Sequence, residues 1–293
     1  MVQGETHGDA RDESGDRSAT GRAASRPSSR LIVPFILLAI PPLIFYSVLL
    51  RTLVNIPNLD DYDAVIRFLN LVTDLHTAAD KFSLLFSYQQ GEFKLILLRA
   101  LAWMQYEVTG HVNFKVLSLL GDGTVVLLAI LLWKMFLPGH KDLARRMTLF
   151  APAAWLLFQL QYWEALNFAT PGLQHLAVLP FAFGAIYFLT RPERWTYYAA
   201  LAVLVLAVAS DGNGLMVMPV GLLILLVSRR AGRIPGWLAV SAGCIALYAY
   251  HYTTLPAPAG TSSSLVSIIF ELKIPFVLGL IGSAASLSLF VVP

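Results

Sequence analysis

Apolar and polar positions fall in long blocks along this chain. The run from Leu31 to Leu50 is apolar and uncharged, about the length that crosses the hydrocarbon core of a bilayer. It is too long for the core of a signal peptide. Tyr46-Ser47-Val48 followed by Leu49-Leu50 is a poor small-residue cleavage site, so the run reads as a retained anchor. Residues 51–113 are polar or amphipathic, and apolar runs then return near 114–136, 147–163, 172–190, 195–210, 214–228, 236–253 and 274–293. The pattern predicts an all-α polytopic bundle of about eight spans.

Two shorter patterns lie inside the loop 51–113. Between Asp60 and Leu75, the residues Asp63, Arg67, Asn70 and Asp74 share one side at helical spacing, while Ile66, Leu69 and Val72 share another. This is a short amphipathic helix, capped by Asn58 or Asp60, with Asp63 and Arg67 as an i,i+4 ion pair. The segment Leu95–Thr109 is apolar but short, and it contains Arg99 and Glu107.

Charge placement decides that second segment. The connections holding Lys141, Arg145 and Arg146, then Arg191 and Arg194, then Arg229, Arg230 and Arg233 are basic. They alternate with loops near 164–171, 211–213 and 254–272 that are nearly free of Lys and Arg. The basic set belongs in the cytoplasm. Counting Leu95–Thr109 as a span would put every later basic loop outside, so it is expected as a surface helix with its apolar face in the interface. The N-terminus is then cytoplasmic and Asp60 faces outward, in a multi-pass protein of the cell inner membrane.

Composition agrees with a membrane protein: 57% of the 293 residues are hydrophobic, 13% are charged, and the mean hydropathy is +0.66. Residues 1–30 are rich in Gly, Ser, Ala, Asp and Arg and are expected as a disordered cytoplasmic tail. Residues 31–293 then form the transmembrane domain, with 51–113 as its outer loop. The formal charge of +3 is scattered through short loops with no broad basic face, which argues against nucleic acid. Cys244 is the only cysteine, so one chain can hold neither a disulfide nor a cysteine metal cluster. No repeat of fixed period is visible. The last run stops at Pro293 without a polar flank, the pattern of a truncated longer architecture. Oligomeric state is not readable from these features.

Candidate chemistry centres on the acidic pair Asp60-Asp61, just after the first span, with Asp63 behind it. A second polar cluster, Tyr88-Gln89-Gln90-Gly91-Glu92-Phe93-Lys94, ends where the second loop helix begins. Two acidic foci in one outer loop are expected to face a single cleft. Asp122, between Gly121 and Gly123 inside the second span, is an intramembrane carboxyl. Trp163, Glu164 and Asn167 occupy one later outer loop and Asp211 with Asn213 another, and both are expected to border the same cleft. Gln174-His175 reads as a polar helix contact. No His-x-x-x-His or cysteine pair is present, so a metal site is left unassigned, with a divalent cation held by acids alone as the open alternative.

In this layout the chain resembles the polytopic GT-C glycosyltransferases that use polyprenyl-phosphate sugars, which carry an acidic pair after the first span, then juxtamembrane helices, then further spans. Gln89-Gln90-Gly91-Glu92-Phe93-Lys94 resembles the Gln-His-Asn-Glu-His-Arg patch of a bacterial subgroup; both histidines are absent and Lys94 stands where arginine is expected. The resemblance implies an inverting sugar transfer on the outer face, with a polyprenyl-phosphate-linked sugar and membrane lipid as partners. Asp60 or Asp61 would be the general base. Asp63, Gln89, Glu92, Lys94, Arg99, Glu164, Asn167 and Asp211 would bind substrate. Arg67, Lys81, Lys94 and Arg99 are the cations available for the leaving phosphate, Arg99 first because it interrupts an apolar segment at headgroup depth. Two alternatives stand beside this: a transporter or lipid-handling protein built around Asp122, and an inactive partner in a polysaccharide assembly complex.

Overall fold

The computed structural model describes residues 29–136, 139 and 142–253; the expected tail and the last apolar run at 274–293 lie outside the described residues. Among the described residues every regular element is helical, and one isolated bridge joins Gln90 and Phe93. The first half contains α1 (Ser29–Thr52), a π-helical turn Tyr62–Arg67 running into α2 (Phe68–Asp74), α3 (Ala78–Ser87), α4 (Ile96–Thr109), α5 (Phe114–Phe136) and α6 (Leu143–Leu157). Two short helices follow, α7 (Trp163–Leu166) and α8 (Ala169–Pro171); a second π-helical turn, Gly172–Leu176, joins α8 to α9 (Ala177–Thr190). The chain continues through α10 (Arg194–Ser210), α11 (Val217–Val227) and α12 (Ile234–Ala249).

Three helical stretches are long and apolar enough to cross a membrane: Arg30–Thr52, Phe114–Met135 and Ala169–Thr190. Among the described residues this criterion does not confirm the expected count of about eight spans. Helices α6, α10 and α12 have 15, 17 and 16 residues, α11 with the helical turn before it runs Gly212–Val227, and at 1.5 Å per residue they reach about 23–26 Å, short of a ~30 Å core.

Three apolar clusters hold the fold. Phe45, Leu49 and Leu53 of α1 and its exit pack on Val125 of α5 and on Phe150, Ala154 and Phe158 of α6 and its end. A second core joins α9 to α12 through Leu189, Leu204, Leu225 and the fully buried Trp237. Glycines admit the close approaches: a Cβ on Gly121 would lie 2.6 Å from the Gly172 carbonyl carbon, and one on Gly221 would lie 2.1 Å from the Trp237 ring. The third core lies under the loop helices, where Ala64, Val65, Phe68, Leu69 and Val72 meet Leu95, Leu98 and Ala102 of α4. The pattern of residues 60–109 thus predicts two helices correctly. Much of the apolar side of α4 is buried against protein.

Polar contacts mark the two ends of the bundle. At one, Arg230 donates to the carbonyls of Leu189, Thr190 and Arg191, and Arg233 to those of Arg191, Pro192 and Glu193. These arginines cover helix-end carbonyls that have no partner within the helix. At the other end, the loop after α1 is tied to the start of α5, where the Phe114 amide donates to Asn55. It is also tied to the start of α8 and to the residues that follow α12. The loop forms a cap over that end, and the candidate site lies within it.

Candidate functional site

The cap begins at the bend Asn58-Leu59-Asp60-Asp61, where Leu59 has φ 40, a left-handed conformation that a leucine seldom adopts. The two aspartates of the pair part company here. Asp60 is exposed, and its carboxylate has no partner among the described residues. Asp61 is 0% exposed. Its Oδ1 accepts from the Thr170 amide (2.9 Å) and the Thr170 hydroxyl (2.6 Å), and its Oδ2 accepts from the amides of Asn58 (3.2 Å) and Ala169 (3.4 Å). Ala169 and Thr170 open a helical run, so their amides have no acceptor within it; Asp61 caps that run from 108 and 109 residues away. Burial pushes the Asp61 carboxyl above its ordinary value, against the Thr170 hydroxyl and the three amides, which pull it down.

Arg99, expected at phosphate depth, is buried inside the cap. Its Nε donates to the Ala64 carbonyl (3.1 Å) and its Nη1 to the Tyr88 carbonyl (2.7 Å). The guanidinium lies 4.4 Å from the Tyr88 ring centroid and 5.7 Å from that of Phe68. Burial lowers its pKa to about 10. Tyr88 in turn donates to Asp63 (3.2 Å), which pairs with Arg67 at 3.0 Å on the exposed side of the loop. Arg99 therefore pins α4 to the π-helical turn and to the end of α3, with only Nη2 unused among the described residues.

The polar patch 89–94 docks on the chain after α12. Gly91, at φ +56, turns a tight loop whose ends pair as Gln90 and Phe93. Gln89 makes two bonds to Thr253, accepting from its amide (3.0 Å) and donating to its carbonyl (2.7 Å). Lys94 is buried and donates to the carbonyls of Phe86 (2.8 Å) and Tyr250. Its pKa is lowered, first by burial and then by the charge of Arg99. Glu92 is exposed, with its backbone carbonyl receiving the Tyr252 hydroxyl at 3.2 Å.

Asp211 is 1% exposed at the junction after α10. Its Oδ1 accepts from the Asn213 amide (2.7 Å), capping the turn Gly212–Met216, and its Oδ2 faces His175 Nδ1 at 3.4 Å. Burial opposes its ionisation, yet the nearby His175 imidazole and the Asn213 amide outweigh that and hold the carboxyl below its ordinary value. His175 sits in the π-helical turn, and its ring meets Phe93 edge-on at 6.4 Å. Asn167 donates back to the Trp163 carbonyl of its own short helix, and the Glu164 side chain lies outside the described residues.

The expected residues thus divide into three groups. Asp63, Tyr88 and Arg99 form one network, Gln89 and Lys94 hold the chain at 250–253, and Asp61 holds the start of α8. No hydrogen bond or ion pair joins Asp60 or Asp61 to Glu92, Lys94 or Arg99 among the described residues. No three His, Cys, Asp or Glu side chains come together there as a metal site. Thr170 is the participant that sequence reasoning passed over, and His175, read only as part of a polar helix contact, faces Asp211. For His175, the signal was a polar Gln-His pair interrupting an apolar run. The chain matches no protein family profile, no curated protein and no solved structure.

Proposed function

We propose that this chain is a membrane glycosyltransferase of GT-C layout that moves a sugar from a polyprenyl-phosphate donor to an acceptor hydroxyl at the capped end of the bundle, facing out of the cell. The observation that carries this reading is the division of labour in the acidic pair. Asp61 is consumed in fastening the loop to α8, and the fastening leaves Asp60 exposed at the same bend. A carboxylate presented this way suits a displacement in which positive charge grows on the anomeric carbon. The leaving phosphate needs a cation, and the reading gives that part to Arg67, exposed beside Asp63, because Lys94 and Arg99 are buried in the cap with N–H groups turned to backbone carbonyls.

The test is Asp60→Asn in the full chain, assayed for transfer from a radiolabelled polyprenyl-phosphate sugar in membranes. Transfer falls by about 100-fold or more with the level of inserted protein unchanged; full transfer by this variant refutes the reading.

A second reading, transport or lipid handling, draws support from Asp122. It is fully buried in α5, and neither carboxylate oxygen has a hydrogen-bond partner among the described residues. Unpartnered carboxyls inside a bilayer are costly and tend to mark pathways. Solute flux in proteoliposomes that depends on Asp122 and is indifferent to Asp60 would favour it.

A further inference from the structure

A buried carboxylate beside an exposed imidazole stands apart from the aspartate pair. The His175 side chain is 55% exposed and Asp211 is 1% exposed, with 3.4 Å between Nδ1 and Oδ2. The carboxylate is fixed from behind by the Asn213 amide, so it is held in place whatever the imidazole does. The contact falls short of a hydrogen bond, and Oδ2 has no hydrogen-bond partner among the described residues, but a negative charge this close to Nδ1 favours the tautomer with its proton there, and the lone pair of Nε2 then points away from Asp211. Gln174, the residue before, is buried with its Nε2 unbonded among the described residues, and Phe93 meets the exposed ring at its edge. The π-helical turn that carries both residues begins one residue after Pro171, so His175 lies roughly 7 Å along the helix from the Thr170 that Asp61 grips.

We propose that His175, with its tautomer biased by the charge of Asp211, accepts the proton of the attacking hydroxyl at this end of the bundle. The proposal rests on the transfer reading for the identity of that hydroxyl, a neutral acceptor alcohol. The O–H bond breaks as the oxygen bonds to the anomeric carbon, and the bond from that carbon to the phosphate oxygen breaks with its electrons going to the phosphate. The proton passes to Nε2 and later to water. Asp60 is left to face the positive charge on the sugar. Asp211 is a positioning residue, and its near-isosteric carboxylate-to-amide change is a sharp probe. Asparagine caps the Gly212–Met216 turn as well as aspartate does, but its amide N–H toward Nδ1 reverses the tautomer and puts the proton on Nε2.

The experiment uses the full chain in detergent micelles, with two readouts on wild type, Asp211→Asn and His175→Gln. Diethyl pyrocarbonate attacks an unprotonated ring nitrogen, and mapping by mass spectrometry follows residue 175 alone; Asp211→Asn should slow its labelling at least threefold at neutral pH. In sugar transfer, both variants should lose about 100-fold or more in kcat with KM little changed, a split that a merely structural defect would not give. Wild-type labelling in Asp211→Asn, or wild-type kcat in His175→Gln, overturns the proposal. Slowed labelling in a protein whose wild type transfers no sugar upholds the oriented imidazole and overturns the transfer reading.

Discussion

Replacing Asp61 tests the fold of the cap directly. In Asp61→Ala, three buried donors lose their acceptor: the amides of Ala169 and Thr170 and the Thr170 hydroxyl. The Asn58 amide is part-buried and can turn to water. A buried donor left unsatisfied costs about 1–3 kcal/mol, so the three together cost about 3–6 kcal/mol after partial relaxation. That is a large share of the roughly 5–15 kcal/mol that holds a typical protein folded. Asp61→Asn is milder: one oxygen still serves Thr170, while the new N–H₂ faces the donors of Asn58 and Ala169, for a loss of about 1–3 kcal/mol. Thr170→Val removes only the hydroxyl bond, about 1 kcal/mol. Thermal unfolding of the detergent-solubilised protein, followed by tryptophan fluorescence, should rank the variants wild type, Thr170→Val, Asp61→Asn, Asp61→Ala. Combining Asp61→Ala with Thr170→Val should cost less than the sum, because the hydroxyl bond is lost in each single variant. Limited proteolysis should cut Asp61→Ala between residues 53 and 61 first. An Asp61→Ala variant that melts with wild type and resists protease equally would refute the clamp.

Arg99→Lys should cost about 2–3 kcal/mol, because one ammonium cannot serve both the Ala64 and Tyr88 carbonyls in the aromatic cradle; a melting temperature equal to wild type would contradict this. Gly121→Ala places a methyl 2.6 Å from Gly172 backbone, so α5 must move away from the π-helical turn, and expression of folded protein should drop sharply while Gly123→Ala, open on that side, is tolerated. Asp61 and Asp211 should respond oppositely to acid. Asp211 has a lowered pKa, so its ionised form stabilises the fold: the contribution is present above the ordinary value of 3.8 and is lost as pH falls through the lowered one. The gap in stability between wild type and Asp211→Asn should therefore shrink in strong acid. Asp61 has a raised pKa, so its contribution grows as pH falls through the raised value toward 3.8, and the gap between wild type and Asp61→Asn should widen over that window. Melting curves at a series of pH values decide both signs.

What was legible in the sequence was local. The apolar runs give the helices, and the period of residues 60–75 gives the turn at Tyr62–Arg67 and α2 with the correct side buried: Leu69 and Val72 are in the core and Asn70 and Asp74 are exposed. The i,i+4 pair of Asp63 and Arg67 forms as the spacing requires. Contacts set by tertiary packing were not legible. Nothing near Asp61 announces that its acceptors will meet amides more than a hundred residues later, and nothing in the spacing of His175 and Asp211 shows that a π-helical turn will aim one at the other. Arg99 illustrates the limit in another way. An arginine in an apolar segment suits a headgroup, a substrate phosphate or a set of buried carbonyls equally well, and only the position of Ala64 and Tyr88 chooses among them.

The clamp between Asp61 and the start of α8 also constrains how the protein is made. A ribosome adding about 5–20 residues per second needs several seconds to pass from Asp61 to Thr170, which lies 109 positions later. During that interval α5 and α6 are already synthesised, while the aspartate waits in water as an ordinary solvated acid. The loop can close only when the helix it caps has arrived, so the cap is a late event in assembly, and its closure signals that the second half of the bundle is in place. Ribosome-bound chains ending before Ala169 should accordingly keep the loop open to protease, and chains extended well past α9 should not.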